Sequence, residues 1–121
     1  MTARRRPWPV RLAAAAEDDF QEILRWTIEQ FGEEQARIYA KTLSAALEEL
    51  TTGPELIGAR ARSDIAKGLF TLHVARHGRK GRHLVIFRIG HDRQGEVIEV
   101  LRVLHDAMDL PRHLPPMGEN T

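Results

Sequence analysis

The sequence predicts an α+β fold: an N-terminal antiparallel helical hairpin packed on a small, mainly antiparallel β-sheet, with a short C-terminal helix. Two observations carry this prediction. Apolar residues recur at three- and four-residue steps in the first half of the chain, and in short, nearly continuous runs in the second. Turn-type residues separate those runs at short intervals. A length of 121 residues allows one compact domain whose core needs no metal or disulfide for stability.

Two helices and a short first strand are predicted in the first half. Residues 10–12 form the strand, and a helix begins near Ala14 and ends at Gly32. A second helix begins near Glu33 and ends where Gly53 and Pro54 stop it. Because only one or two residues link the helices, they must fold back on each other. The apolar face of the first helix consists of Phe20, Ile23, Leu24, Thr27, Ile28 and Phe31.

Three strands are predicted in the second half, over residues 69–75, 83–89 and 97–104. The turns between them span residues 77–82 and 90–95, and connections this short join neighbouring antiparallel strands. The three strands therefore form a meander.

The unbroken apolar run at residues 84–87 indicates a central strand that is buried on both faces. Residues 108–114 are predicted to form a terminal helical turn. We expect a single domain over residues 10–114, a flexible basic lead-in over 1–9 and a disordered tail over 115–121.

The composition excludes several function classes. The chain has no cysteine, which removes a disulfide framework, a thiolate nucleophile and any cysteine-ligated metal site. It has no H-E-x-x-H zinc motif, no G-x-S-x-G nucleophile motif and no phosphate-binding glycine loop. No apolar run is long enough for a membrane span. We therefore expect a cytoplasmic protein without a metal, a cofactor or a membrane partner.

The net charge of +1 conceals a strong segregation along the chain. The formal charge is +4 over residues 1–13, −6 over 14–52, +5 over 53–96 and −2 over 97–121. An electropositive region suits an acidic protein or a nucleic acid, whereas solvated helices and basic turns would give the same pattern without a function. The small number of aromatic residues leaves little for base stacking, so an acidic protein surface is at least as good a partner.

Three polar residues lie on or just after predicted core strands. Arg88 interrupts an apolar run and therefore needs a partner, as does Arg102 unless it lies at the rim. His105 could act as a general acid or base, or could fix the strand end by a hydrogen bond to Asp106 or Asp109. We favour the structural role for His105.

The predicted domain, over about residues 10–114, resembles the ParE toxins of the RelE/ParE superfamily. The order and spacing of several runs carry the resemblance, not any single motif. These runs are Phe31-Gly32-Glu33-Glu34-Gln35-Ala36, residues 39–50, Arg62-Ser63-Asp64-Ile65, Gly68-Leu69, His83-Leu84-Val85-Ile86-Phe87-Arg88, Val100-Leu101-Arg102-Val103-Leu104-His105, Met108-Asp109-Leu110 and Arg112-His113-Leu114.

The resemblance implies the toxin half of a type II toxin–antitoxin pair. ParE toxins poison DNA gyrase, and their RelE relatives are ribosome-dependent ribonucleases. By position, Arg88 resembles a catalytic arginine of the nuclease branch, and His105 falls near its acid/base residue. That branch's tyrosine near the chain end is missing, because the only tyrosine is Tyr39. We therefore expect a non-enzymatic gyrase inhibitor, with a RelE-type mRNA endonuclease as the alternative.

The resemblance also implies a ParD-like antitoxin, bound in a hetero-oligomer at the sheet edge and at the groove beside the helical hairpin. DNA gyrase is the expected target, and we expect no sequence-specific binding of nucleic acid. The residues predicted to contact the target are basic: Arg60, Arg62, Arg79, Lys80, Arg82 and Arg102.

Overall fold

The structure, a computed structural model, describes residues 7–56 and 58–114. Within these residues, two helices pack on one face of a five-stranded sheet, so the predicted α+β class and helical hairpin are confirmed. In chain order the elements are β1 (Val10–Leu12), α1 (Ala14–Phe31), α2 (Glu33–Glu49), β2 (Arg60–Ala61), β3 (Phe70–His73), β4 (His83–Asp92) and β5 (Gly95–His105), with 3-10 turns at Leu50–Thr52 and Leu110–His113.

A single residue, Gly32, connects α1 to α2. Its φ of +95° is a conformation that favours glycine, and its N–H donates to the carbonyl oxygen of Ile28 at 2.8 Å. Its own carbonyl accepts the N–H of Ala36 at 3.2 Å, so the same glycine ends one helix and begins the next. Glu33 and Glu34 lie in the first turn of α2, where negative charge complements the helix dipole.

The strands are ordered β1-β5-β4-β3-β2. β3, β4 and β5 form the predicted antiparallel meander, and β1 pairs with β5 in parallel. A β-bulge shifts the register of β5: Ile86 pairs with Arg102 while Phe87 pairs with Val100, which leaves Leu101 as the extra residue. After the bulge, Val103 faces the helices and Leu104 faces the other side of the sheet.

The sheet is buried on both faces, as predicted for its central strand. The larger core lies between the sheet and the helices, and Leu43, Val85 and Phe87 are fully buried there. A smaller core on the second face contains Ile86 and is closed by Leu110 from the second 3-10 turn. The 3-10 turn therefore caps a face that the two helices leave uncovered.

Two details differ from the sequence prediction. β2 was not predicted, because a strand of two residues has no measurable periodicity; it pairs with Thr71 and Phe70 of β3. The predicted turn over residues 90–95 is shorter, since β4 extends to Asp92 and β5 begins at Gly95. An Asp92 carboxylate oxygen accepts the N–H of Gln94 at 2.7 Å, and Gly95 has a φ of +125°, which together close a tight turn.

The described chain is anchored at its beginning. Within the predicted lead-in, the N–H of Trp8 donates to the carbonyl of Thr51 at 2.8 Å, and the carbonyl of Pro9 accepts the N–H of Ile98 at 2.9 Å. The packed part of the chain therefore includes Trp8 and Pro9. The rest of the lead-in, residues 1–6, and the predicted tail over 115–121 lie outside the described residues.

Candidate functional site

A groove of about 730 Å³ lies between the helical hairpin and the β3–β4 connection, residues 74–82. Both helices contribute one wall, the connection contributes the other, and the first residue of β4 and the last of β5 form the floor. The groove is lined by Trp26, Thr27, Phe31, Gln35, Ile38, Tyr39, Thr42, Gly78, Arg79, Lys80, Gly81, Arg82, His83 and His105.

The helical wall of the groove is apolar and exposed. Trp26, Phe31 and Ile38 are 55%, 64% and 51% exposed, and the rings of Trp26 and Phe31 meet edge to face at 5.8 Å. Phe31 was predicted on the apolar face of α1, and the structure leaves it exposed as the last residue of that helix. Large apolar side chains clustered on a surface are typical of a binding site for another protein.

The floor of the groove is a hydrogen-bonded aromatic cluster. The hydroxyl of Tyr39 lies 2.7 Å from Nδ1 of His83, and the ring of His83 meets that of His105 at 5.5 Å. The pKa of His83 is lowered to about 4, mainly because the ring is buried and secondly because His105 lies nearby. Burial also raises the pKa of Tyr39. His83 is therefore neutral at physiological pH.

Gly81 allows the connection to approach this floor. A Cβ on Gly81 would lie 2.6 Å from the Tyr39 hydroxyl and 2.8 Å from a methyl group of Val74. The backbone N–H of Arg82 donates to the same hydroxyl at 3.3 Å. Only glycine fits between the connection and α2 here.

Glu49 at the end of α2 holds the connection from the other side. It accepts hydrogen bonds from Arg76 Nε at 2.8 Å and Arg79 Nη2 at 3.0 Å, and His77 Nε2 lies 3.2 Å away. Burial alone would raise the pKa of Glu49, but the bonds from Arg79 and Arg76 outweigh it and lower the pKa. Arg79 therefore supports the groove wall and is only one-fifth exposed.

Asp106, just after β5, neutralises Arg82. Its carboxylate accepts from Arg82 Nη2 at 2.9 Å and lies 2.9 Å from His73 Nε2. Hydrogen bonds from Arg82 and then His73 hold the pKa of Asp106 well below its usual range. The charge of Arg82 is thus already compensated within the protein.

Lys80 differs from these two neighbours. It is exposed, lines the groove, and has no ion-pair partner within residues 7–56 and 58–114. Among the described residues that line the groove, it is the cation whose charge remains free.

The other predicted target contacts lie elsewhere. Arg60 is exposed on β2, opposite Thr71, and Arg62 pairs with Asp64 at 2.9 Å. Arg102 binds the Asp19 carboxylate of α1 with two nitrogens, at 2.7 and 2.8 Å. The structure therefore groups only three of the six predicted residues, Arg79, Lys80 and Arg82, at one groove.

The two residues of the nuclease alternative are not brought together. His83 pairs with His105, whereas Arg88 lies five residues further along β4, roughly 17 Å away. Side chains alternate along β4, so His83 faces α2 and Arg88 lies on the opposite face. Arg88 Nε donates to Glu99 at 2.9 Å, which is the partner that its position requires.

The described residues form neither a metal site nor a membrane-spanning helix. No three ligand-type side chains converge on a possible metal position in the part of the chain that the structure describes. Neither α1 nor any other helix of these residues has the length and apolarity needed to cross a bilayer.

Sequence reasoning missed Trp26, Ile38 and His83 as groove residues. Trp26 falls outside the apolar face predicted for the first helix, and that position was an available signal, because a large apolar residue off this face indicates a binding surface. Ile38 is a second large apolar residue that its helix leaves exposed. His83 gave no such signal, because its role depends on contacts with Tyr39 and His105 that are distant in sequence.

Comparisons with known proteins agree with the fold. The family model for the ParE toxin of the type II toxin–antitoxin system parDE matches residues 10–110. Toxin ParE1 of Caulobacter vibrioides is 29% identical over 88% of this chain and 97% of its own length. Toxin ParE1 of Mycobacterium tuberculosis is 32% identical over 85% of this chain and 94% of its own length.

Solved structures show the same architecture. A chain of the chromosomal ParDE system from P. aeruginosa matches with a TM-score of 0.57 at 19% identity, over 81% of this chain and 95% of that one. A chain of the toxin–antitoxin complex RelBE2 from Mycobacterium tuberculosis matches with a TM-score of 0.53 at 22% identity, over 82% and 98%. With a family model that covers most of its length, the chain belongs to the ParE toxin family of type II toxin–antitoxin systems.

Proposed function

We propose that this ParE-family toxin inhibits DNA gyrase by direct protein contact, without catalysis, and so blocks replication. The separation of Arg88 from His105 is the main support. Phosphodiester cleavage needs an acid/base group and a phosphate-stabilising cation around one phosphate. Here His105 lies beside neutral His83 and the anionic Asp106, while Arg88 is bound to Glu99 on the other face.

We further propose that a ParD-like antitoxin neutralises the toxin by covering the groove. Two of the similar structures come from toxin–antitoxin systems, ParDE and RelBE2, which supports such a partner. The exposed side chains of Trp26, Phe31 and Ile38 supply apolar surface for a helix in the groove. The short edge strand β2 offers backbone groups for strand addition.

A supercoiling assay with purified gyrase tests the first proposal. The folded protein should inhibit supercoiling at near-stoichiometric amounts. Arg60 is exposed and forms no ion pair with any described residue, which leaves its charge available to the target, so Arg60→Glu should weaken inhibition roughly tenfold. Arg93→Glu, an equal charge change in the exposed β4–β5 turn, is the matched control and should have little effect.

The same purified protein can be tested for the alternative function, a RelE-type mRNA endonuclease. Unimpaired supercoiling with a folded sample, together with mRNA cuts on translating ribosomes that His105→Ala abolishes, would contradict gyrase inhibition and support the RelE-type activity. For the antitoxin, co-expression should restore growth, and this rescue should fail when Trp26 and Phe31 of the toxin are both replaced by serine.

A further inference from the structure

We propose that Lys80 selects the antitoxin by charge: it pairs with a carboxylate on the flank of an amphipathic helix that fills the groove. The inference rests on the proposed antitoxin function for its partner, but its test does not involve gyrase. Two observations support the inference. Lys80, which has no carboxylate partner among the described residues, faces the apolar helical wall across the groove, and no carboxylate of the described residues lines that groove.

The occupant of the groove is a helix and not a strand. The groove ends on β4, whose two edges are already paired with β3 and β5, so its backbone offers no free edge for strand addition. A helix about 10 Å wide occupies roughly 400 Å³ per turn, and the groove of about 730 Å³ therefore holds close to two turns. Trp26, Phe31 and Ile38 would contact the apolar face of that helix.

The expected charge of the partner follows from which basic residues of the groove already have a carboxylate partner. Arg79 shares Glu49 with Arg76, and Arg82 is bound by Asp106, so both of these groove arginines already have a carboxylate partner. Lys80 lies between them in sequence and is exposed without an ion pair among the described residues. A carboxylate on the near flank of the bound helix would meet an unpaired ammonium group, whereas a lysine there would meet a like charge.

A peptide is favoured over a nucleic acid as the occupant. A phosphate backbone would need several uncompensated cations, and the groove provides Lys80 alone among its described lining residues. Three large apolar side chains are a poor match for phosphates and a good match for leucine-rich helices.

Two synthetic helical peptides of about 15 residues serve as probes. Both carry leucines at three- and four-residue spacing; one has glutamates along its flanks and the other has lysines. Trp26 on the groove wall reports binding by a blue shift of its fluorescence in a Trp8→Phe background. The glutamate peptide should bind at least roughly tenfold more tightly than the lysine peptide at low salt.

Charge reversal then locates the selection. Lys80→Glu should weaken binding of the glutamate peptide roughly tenfold and strengthen binding of the lysine peptide. The Lys80→Arg variant should bind both peptides like the parent protein. Lys67→Glu is the matched control, because Lys67 is also an exposed lysine but does not line the groove; it should change either affinity by less than about twofold.

Several results would overturn the proposal. Equal binding of the two peptides would show that the groove does not select by charge. Equal effects of Lys80→Glu and Lys67→Glu would show only a general electrostatic attraction. Tighter binding of a single-stranded oligonucleotide than of the glutamate peptide would assign the groove to nucleic acid. Growth rescue by the co-expressed antitoxin and supercoiling by gyrase are measured independently of these peptides, so the charge selection and the proposed function fail separately.

Discussion

His83 shows how one residue's surroundings set its chemistry. Its ring is held between the Tyr39 hydroxyl on α2 and the ring of His105 on β5, and Asp106, His73 and Asp19 supply the other nearby charges. Burial outweighs the favourable effect of the two aspartates and keeps the ring neutral. A neutral ring can accept the Tyr39 hydrogen bond at Nδ1, and protonation would remove that acceptor.

His83 should make the stability of the protein sensitive to acid. Its pKa is about 4 in the folded state and near 6.5 when unfolded, so below pH 6.5 the unfolded chain binds more protons. The free energy of unfolding should be unaffected by His83 above pH 6.5 and should fall as the pH drops towards 4, by about 3 kcal/mol at most.

Urea unfolding at several pH values checks this expectation. His83→Gln cannot titrate, so the difference in unfolding free energy between the parent protein and the variant should shrink from pH 7 to pH 4. A difference that stays constant over this range would contradict the shifted pKa.

At the scale of elements, one carboxylate joins the first helix to the last strand. Asp19 of α1 accepts two hydrogen bonds from the Arg102 guanidinium and a third from the backbone N–H of Val103, at 2.9 Å. Arg102 also donates to the carbonyl of His113, at 2.7 Å, and so ties down the second 3-10 turn. The bulge at Leu101 sets the register that places Arg102 there.

Replacing Asp19 should therefore loosen the helix from the sheet. Asp19→Ala leaves the partly buried Arg102 without its carboxylate, and we expect a loss of about 2–4 kcal/mol in the free energy of unfolding. Asp18→Ala is the control, since Asp18 is the exposed neighbour on the same turn, and its effect should stay within about 0.5 kcal/mol. Equal losses of unfolding free energy in the two variants, measured by urea unfolding, would show that the Asp19–Arg102 ion pair does not hold α1 on the sheet.

At the scale of the whole molecule, the fold separates a buried core from an exposed apolar surface. The hairpin end of the two helices presents Trp26, Phe31 and Ile38 to solvent instead of packing them in the core. The charge segregation acquires a location only for its basic part: the β3–β4 connection forms one wall of the groove, whereas the wall that the hairpin contributes is apolar and carries no carboxylate of the described residues.

Removing the exposed aromatic pair should affect binding more than stability. Trp26→Ser combined with Phe31→Ser should change the free energy of unfolding by only about 1 kcal/mol, because both side chains are more than half exposed. Binding of an apolar fluorescent dye should fall. Leu43→Ala, in the buried core, is the contrasting variant and should cost about 2–5 kcal/mol. Comparable losses of stability would mean that the groove wall is part of the core.

Local patterns in the sequence were enough to predict the hairpin, the meander and the doubly buried central strand. Periodic apolar spacing and the position of Gly32 depend only on neighbours along the chain, and for that reason they are readable without coordinates. The two-residue strand β2 and the bulge at Leu101 have no such local signature.

Only the tertiary structure decided which charges are free. Arg102 and Asp19 are separated by 83 residues and Arg82 and Asp106 by 24, so no local pattern shows that these cations are paired. The sequence by itself determined the family resemblance, the element types and a basic second half. Folding brings distant carboxylates onto most of the groove's cations and leaves Lys80 unpaired among the described residues, because an ion pair depends on distance in space and not on distance along the chain.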